Sequence, residues 1–161
     1  MNALQNMPAE AHVWVFQSTR TFTELDLTEI HSKSSAFTEV WKSHGNAVAS
    51  SFNIFYNRFI VVAVDERTVK VGGCSQDSLH GFIKELGRQL DINFFDRMQI
   101  AYRSNNEILT SPLSEFEKLA EQKIINESTI VFNNMVSTKA DFDKNWEVPL
   151  KHSWHNRVLA V

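Results

Sequence analysis

Hydrophobic and polar positions follow two different periods along the chain, and the change of period marks the elements. Val13-Trp14-Val15-Phe16 is a β-branched and aromatic run that predicts a first strand, closed by residues 21–23. From Thr23 the apolar positions recur at spacings of three and four, through Leu27, Ile30, Ser34, Phe37, Trp41 and His44. That period is helical. Thr23 with Asp26 three residues on resembles a capping box, and Gly45 offers a left-handed stop with His44 at the negative end of the helix dipole.

Phe52, Ile54 and Tyr56 alternate, Tyr56-Asn57-Arg58 offers a turn, and residues 59–64 are apolar on both faces, which predicts a hairpin whose second strand is central. A helix carrying Leu79, Phe82, Ile83, Leu86 and Leu90 follows, with Ser75 or Asp77 as its cap. Met98, Ile100 and Tyr102 begin a second hairpin through Ser104-Asn105-Asn106. Ser111-Pro112 then reads as cap plus first-turn proline of a third helix with Leu113, Phe116, Ala120 and Ile124 on one face. Residues 129–132 predict one more strand. Thr138 with Asp141 predicts a short helix with Phe142 and Trp146, ending near Val148 because Pro149 disfavours helical geometry before it. Residues 150–161 are too short to classify, and residues 1–11 read as a loose N-terminal arm. The order of hairpins and helices predicts an α+β fold, a mixed, largely antiparallel sheet of about six strands with three to four helices packed on it.

Composition narrows the class. With 161 residues and 43% hydrophobic positions, the chain is long enough to bury roughly 70% of its unfolded surface and is expected to form a single domain, residues 1–161. The one cysteine excludes an internal disulfide. Sixteen basic against nineteen acidic side chains, net charge -3, give no field for nucleic-acid phosphates. No apolar run approaches the ~20 residues that span a bilayer, and no leader pattern opens the chain, so a cytoplasmic protein without nucleic-acid or membrane partners is expected, as monomer or homodimer. No cofactor motif is present.

The most informative chemistry lies in Gly72-Gly73-Cys74-Ser75-Gln76-Asp77-Ser78, two glycines just ahead of a helix. Free backbone N–H groups and the helix dipole at such a place favour an anion and lower the pKa of a thiol held there. The stretch therefore reads as a pocket for a small anionic ligand or a protein partner, formed by Gly72, Gly73, Cys74, Ser75 and Asp77 with His44 and with the terminal Trp154, His155 and Arg157. Asp77 competes for the same donors. The plainer reading is a glycine turn with Ser75 or Asp77 as cap and Cys74 as a small buried hydrophobe. An alternative is a Cys74-dependent enzyme or redox thiol, with His44 or His80 as base among the candidates His44, His80, His152 and His155. A second alternative is a carboxylate-metal hydrolase using Asp65, Asp77 and Asp96 at strand and helix ends, where turn formation is the ordinary role. His152 and His155, three apart, could share a metal with Asp65, Glu66, Asp77 or Asp96, although no His-Glu-x-x-His pattern or cysteine pair supports a metal site.

Arg58-Phe59-Ile60-Val61-Val62-Ala63-Val64-Asp65-Glu66, Gly73-Cys74-Ser75-Gln76-Asp77, Phe95-Asp96-Arg97 and Ser153-Trp154-His155-Asn156-Arg157 together resemble a small bacterial family of single-domain proteins of about this length, with no established function. The likeness extends over nearly the whole chain. Members are often labelled ABC transporter ATPases, and the residues reject that label. A P-loop requires Gly-x-x-x-x-Gly-Lys-Ser/Thr to hold phosphates, and neither it nor Leu-Ser-Gly-Gly-Gln occurs here. The resemblance implies a shared fold and motifs, and no catalytic residue.

Overall fold

A computed structural model describes residues 3–159. Among the described residues there are four α-helices and nine strands, the strands forming three sheets, and every strand pairing is antiparallel. The α+β class stands, with the strands divided among three sheets where one was expected. The chain falls into two compact units, residues 3–95 with Ser137–Ala140, and Asp96–Val136 with residues 141–159.

In the first unit, β1 (His12–Gln17), β4 (Ala49–Phe55) and β5 (Phe59–Asp65) form a sheet in the order β1-β5-β4. All six residues from Phe59 to Val64 are fully buried, as befits a strand hydrogen-bonded on both edges. Phe55 pairs with Phe59, so the β4–β5 connection has three residues, and Tyr56 and Asn57 both take positive φ, 54° and 51°, at its tight turn. Helix α1 (Glu24–Val40) opens on the expected capping box, Thr23 and Asp26 each accepting the other's backbone N–H. The Arg20 guanidinium beside Asp26 holds that carboxyl below the usual carboxylate range. Helix α2 (Gly73–Leu90) contributes Leu79, Ile83 and Leu86 to a core that includes Ile30, Ile60, Val62 and Val64.

Two expectations fail here. Helix α1 stops at Val40, and residues 41–48 turn into a small hairpin of β2 (Lys42–Ser43) and β3 (Asn46–Ala47). His44 (φ 52°) and Gly45 (φ 81°) are the central residues of its turn, so His44 does not sit at a helix end. A left-handed glycine serves a helix stop and a hairpin turn equally, and local sequence does not separate them. The N-terminal segment is not loose either. Residues 4–6 form a 3-10 turn with Leu4 and Met7 buried, Ala11 is fully enclosed, and the Lys139 and Ala140 N–H groups donate to Ala11 and Ala9.

The second unit carries the sheet β7-β6-β8-β9, with β6 (Gln99–Ser104), β7 (Glu107–Pro112), β8 (Ile130–Phe132) and β9 (Glu147–Pro149). Strand β9 was not anticipated; its proline lies on an edge strand, where no ladder donor is missed. Helix α3 (Leu113–Glu121) follows Pro112, which caps it in place of Ser111, and ends before Ile124, leaving that side chain exposed. Helix α4 (Lys139–Asn145) is the short helix expected after Thr138, and its Phe142 stacks on Trp146 at 4.6 Å. The C-terminal residues form 3-10 turns, Leu150–His152 and Trp154–Leu159, whose Leu150 and Val158 join Ile100, Tyr102, Phe116 and Val131 in this unit's core. No helix among the described residues is long and apolar enough to cross a membrane.

Candidate functional site

The small hairpin is docked on the start of α2 by four hydrogen bonds. The Trp41 indole N–H donates to the Ser75 carbonyl (3.0 Å) and the Ser75 hydroxyl to the Lys42 carbonyl (2.9 Å). The Ser43 hydroxyl donates to the Lys70 carbonyl (2.6 Å) and accepts the Gly72 N–H (3.3 Å). Ser43 and Ser75 are buried, so each hydroxyl satisfies a backbone group that water does not reach. Replacing Trp41 with phenylalanine keeps most of the apolar volume but leaves the Ser75 carbonyl without this donor. The expected cost is about 1–3 kcal/mol in urea unfolding.

With its stem fixed in this way, the hairpin tip places the His44 ring over Gly72. A Cβ added at Gly72 would lie 3.2 Å from His44 Nε2, so glycine is what allows the imidazole to approach the chain so closely. Gly72 is the N-cap of α2 and brings no side-chain cap. Gly73, Cys74 and Ser75 are the first three helical residues, the first turn contains no acidic residue, and the first N–H to find a carbonyl is that of Gln76, bonded to Gly72. The expected caps are thus displaced: Ser75 is turned inward to Lys42, and exposed Asp77 lies beyond the first turn, where it competes less for these donors than the sequence suggests. Carbonyls of Lys42 and Lys70 accept the docking bonds, so two lysine positions flank the helix start along with His44. The approach from β5 is tied as well. Glu66 accepts the Val71 N–H (2.9 Å) and meets His12 at 3.2 Å, while Asp65 is held by Arg67, whose guanidinium keeps that carboxyl below its ordinary range.

Cys74 is exposed on the first turn of α2, not buried as a small hydrophobe. The His80 Nδ1 bonds the Gln76 carbonyl at 2.8 Å, and its ring packs edge-on to Phe16 at 5.8 Å and near Phe95 at 5.9 Å. The carboxylate-metal alternative also loses its geometry. Among the described residues no three His, Cys, Asp or Glu side chains gather closely enough to hold a metal ion. Asp65 folds back on Arg67, and Asp96 accepts the Met98 N–H (3.0 Å), both the ordinary work of turn-forming aspartates.

His155 and Arg157, expected beside the glycine stretch, belong to the second unit. His155 is 2% exposed, bonds Ser153 Oγ through Nδ1 at 2.6 Å, stacks on Trp154 at 3.8 Å and lies edge-on to Phe116. Arg157 lies over the Trp154 ring at 4.8 Å. Burial, helped by the positive charge of Arg157, pushes the His155 pKa down to about 4, so this histidine is a neutral core residue at neutral pH. His152 is exposed, so the two histidines do not face one ligand.

An open groove of about 350 Å3 runs between α1 and α2, lined by Phe37, Val40, Phe82 and Leu86 together with Lys33 and Glu85. Its apolar lining, with Phe37 stacked on Phe82 at 4.5 Å, suits packing and not anion recognition. The sequence reading missed Trp41, Lys42, Ser43 and Lys70 as supports of the α2 start; Ser43-His44-Gly45-Asn46, read as a hairpin turn, was the signal that would have found them. No family model, no curated protein and no solved structure matches the chain.

Proposed function

We propose that the protein binds a small oxyanion, a carboxylate or phosphoryl group, at the N-terminus of α2. One observation carries the reading: an 18-residue helix opens on three N–H groups with no acceptor among the described residues and no acidic first-turn residue, while the His44 ring lies over its N-cap. Backbone donors aligned with the positive end of the helix dipole are the ordinary means of holding an anion. The His44 imidazole adds a side-chain donor above Gly72. Binding, not covalent chemistry, is the function this arrangement supports.

The test is a thermal-shift titration with phosphate, acetate and citrate at constant ionic strength, in wild type and in Gly73→Asp. Nothing lies within 4 Å of a Cβ at Gly73, so the aspartate fits. Its carboxylate in the first turn stabilises the helix by about 0.3–1 kcal/mol and competes with an external anion for the same donors. Wild type should show an anion-dependent rise in Tm that Gly73→Asp lacks, although the variant melts no lower in chloride. An equal rise in both proteins, or none in wild type, overturns the reading.

A further inference from the structure

The other end of the same sheet holds a cation without a counter-charge. The Arg20 guanidinium bonds the Leu90 carbonyl at 2.7 Å, which puts the C-terminus of α2 beside residues 18–22, and Ser18 donates its N–H to the Arg58 carbonyl at 2.8 Å. Arg58 closes the Tyr56-Asn57 turn through its own N–H to Phe55 (3.0 Å), and Phe22 donates to Asn57 at 2.7 Å. The backbone at Arg58 is therefore fixed by its neighbours on both sides.

Its side chain is not paired. Arg20, Arg67, Arg88 and Arg103 each meet a carboxylate, Asp26, Asp65, Glu85 and Glu147 respectively, and Arg67 and Arg88 do so even at the surface. Arg58 is half-buried, its Nη1 is sealed from solvent without a hydrogen-bond partner, and no carboxylate among the described residues pairs with it. Burial alone pushes the pKa of this guanidinium down, with no negative neighbour opposing it. A guanidinium without an ion pair, one nitrogen of which is withdrawn from water and lacks an acceptor, is unfavourable, and a methionine or leucine would pack there without that cost. Because Nη1 is sealed, an anion meets the guanidinium through its other donors, Nε and Nη2, a planar pair that matches two oxygens of one anion.

We propose that Arg58 anchors a second binding site, for an oxyanion that offers two oxygens to the guanidinium, a carboxylate or a phosphoryl group. It lies at the end of α2 away from Gly73 and does not rest on the reading of the first site. The neutralising charge comes from the ligand, so the free protein carries an uncompensated cation that binding relieves. A single bidentate contact corresponds to weak binding, with Kd of about 1 mM.

The experiment uses the full chain in the Gly73→Asp background, which silences the first site, and compares Arg58 with Arg58→Met and Arg58→Lys. Each protein is titrated separately with inorganic phosphate and with succinate against matched chloride, with Tm and calorimetric heat as readouts. The chain with Arg58 should gain roughly 3–6 °C at about ten times Kd. Arg58→Met should melt as high or higher in chloride and lose the gain, and Arg58→Lys, which keeps the charge but not the fork, should retain only part of it. A response to phosphate alone assigns a phosphoryl ligand, and a response to succinate alone a carboxylate. The same gain in Arg58→Met, or no gain with either anion in the chain carrying Arg58, overturns the proposal.

Discussion

Replacing Gly87 with alanine should destabilise the first unit by about 2–4 kcal/mol, against the ordinary preference of a helix for alanine over glycine. The cause lies at the end of α2. Asp91 takes a left-handed conformation (φ 56°) and donates its N–H to the Gly87 carbonyl, and Ile92 donates to the same carbonyl at 2.8 Å. The chain therefore folds back over Gly87, and a Cβ there would lie 2.3 Å from the Ile92 backbone oxygen and 3.2 Å from the Phe94 ring. A backbone atom cannot swing aside as a side-chain end can, so the cap must open or the last turn must shift. Phe94 belongs to the core with Phe22, Ile92 and Leu86, and the damage spreads there. Gly81 in the same helix is the control. Nothing lies within 4 Å of a Cβ at that position, and Gly81→Ala should stabilise by about 0.5–1 kcal/mol. Urea unfolding followed by tryptophan fluorescence decides between them; equal midpoints for the two alanine variants would contradict the packing described for Gly87.

Acidification should loosen the second unit through His155. Its pKa in the folded chain is about 4, below the ordinary 6.5, because burial disfavours the charged ring and Arg157 adds like charge. Between pH 6.5 and 4 the unfolded chain binds a proton at this position that the folded chain does not. Stability rises with pH wherever the unfolded state binds more protons, so the contribution is complete above about 6.5 and is lost as pH falls toward 4. A shift of this size corresponds to roughly 3 kcal/mol at most. The loss falls on the C-terminal 3-10 turns, where Leu150 and Val158 sit in the core with Phe116. Asp26 titrates at lower pH still, since Arg20 holds its carboxyl below the usual range, and its contribution fades only below the His155 window. His155→Gln should be less stable than wild type at pH 7, because the buried stacking on Trp154 is lost, yet nearly flat from pH 6.5 to 4.5. A parallel decline in variant and wild type over that range would place the acid sensitivity elsewhere.

The elements read correctly are those in which local chemistry and tertiary packing agree. The apolar run of β5 is central because no other position in a sheet hides both faces of a strand, and Thr23 with Asp26 caps α1 by a rule that involves only neighbours. The hairpin turns at Tyr56-Asn57 and Asn105-Asn106 likewise lie where the alternating pattern stops. Errors arose where a long-range partner decides. Trp41 continues the helical period of α1, but its indole is bound to Ser75 and its backbone turns extended, so the period runs past the real helix end. Leu4 and Met7 have no local pattern and are buried only because the body of the unit receives them. At the candidate site, the glycine pair and His44 were legible as residue types. Their meeting was legible for the wrong reason, since it depends on a hairpin and not on a helix terminus. His155 and Arg157 were grouped with the glycines by chemistry alone, and their burial and stacking in another unit has no sequence signal.

The central claim is that the first-turn N–H groups of α2 hold an oxyanion. The most direct measurement is a titration of the isotopically labelled 161-residue chain with inorganic phosphate at constant ionic strength, following backbone amide signals by NMR. Gly73, Cys74 and Ser75 should shift together with one saturating curve, His44 should shift with them, and in Gly73→Asp the amides of positions 73, 74, 75 and 44 should stay still. Saturable shifts elsewhere while these residues stay still, or the same shifts in Gly73→Asp, would contradict it.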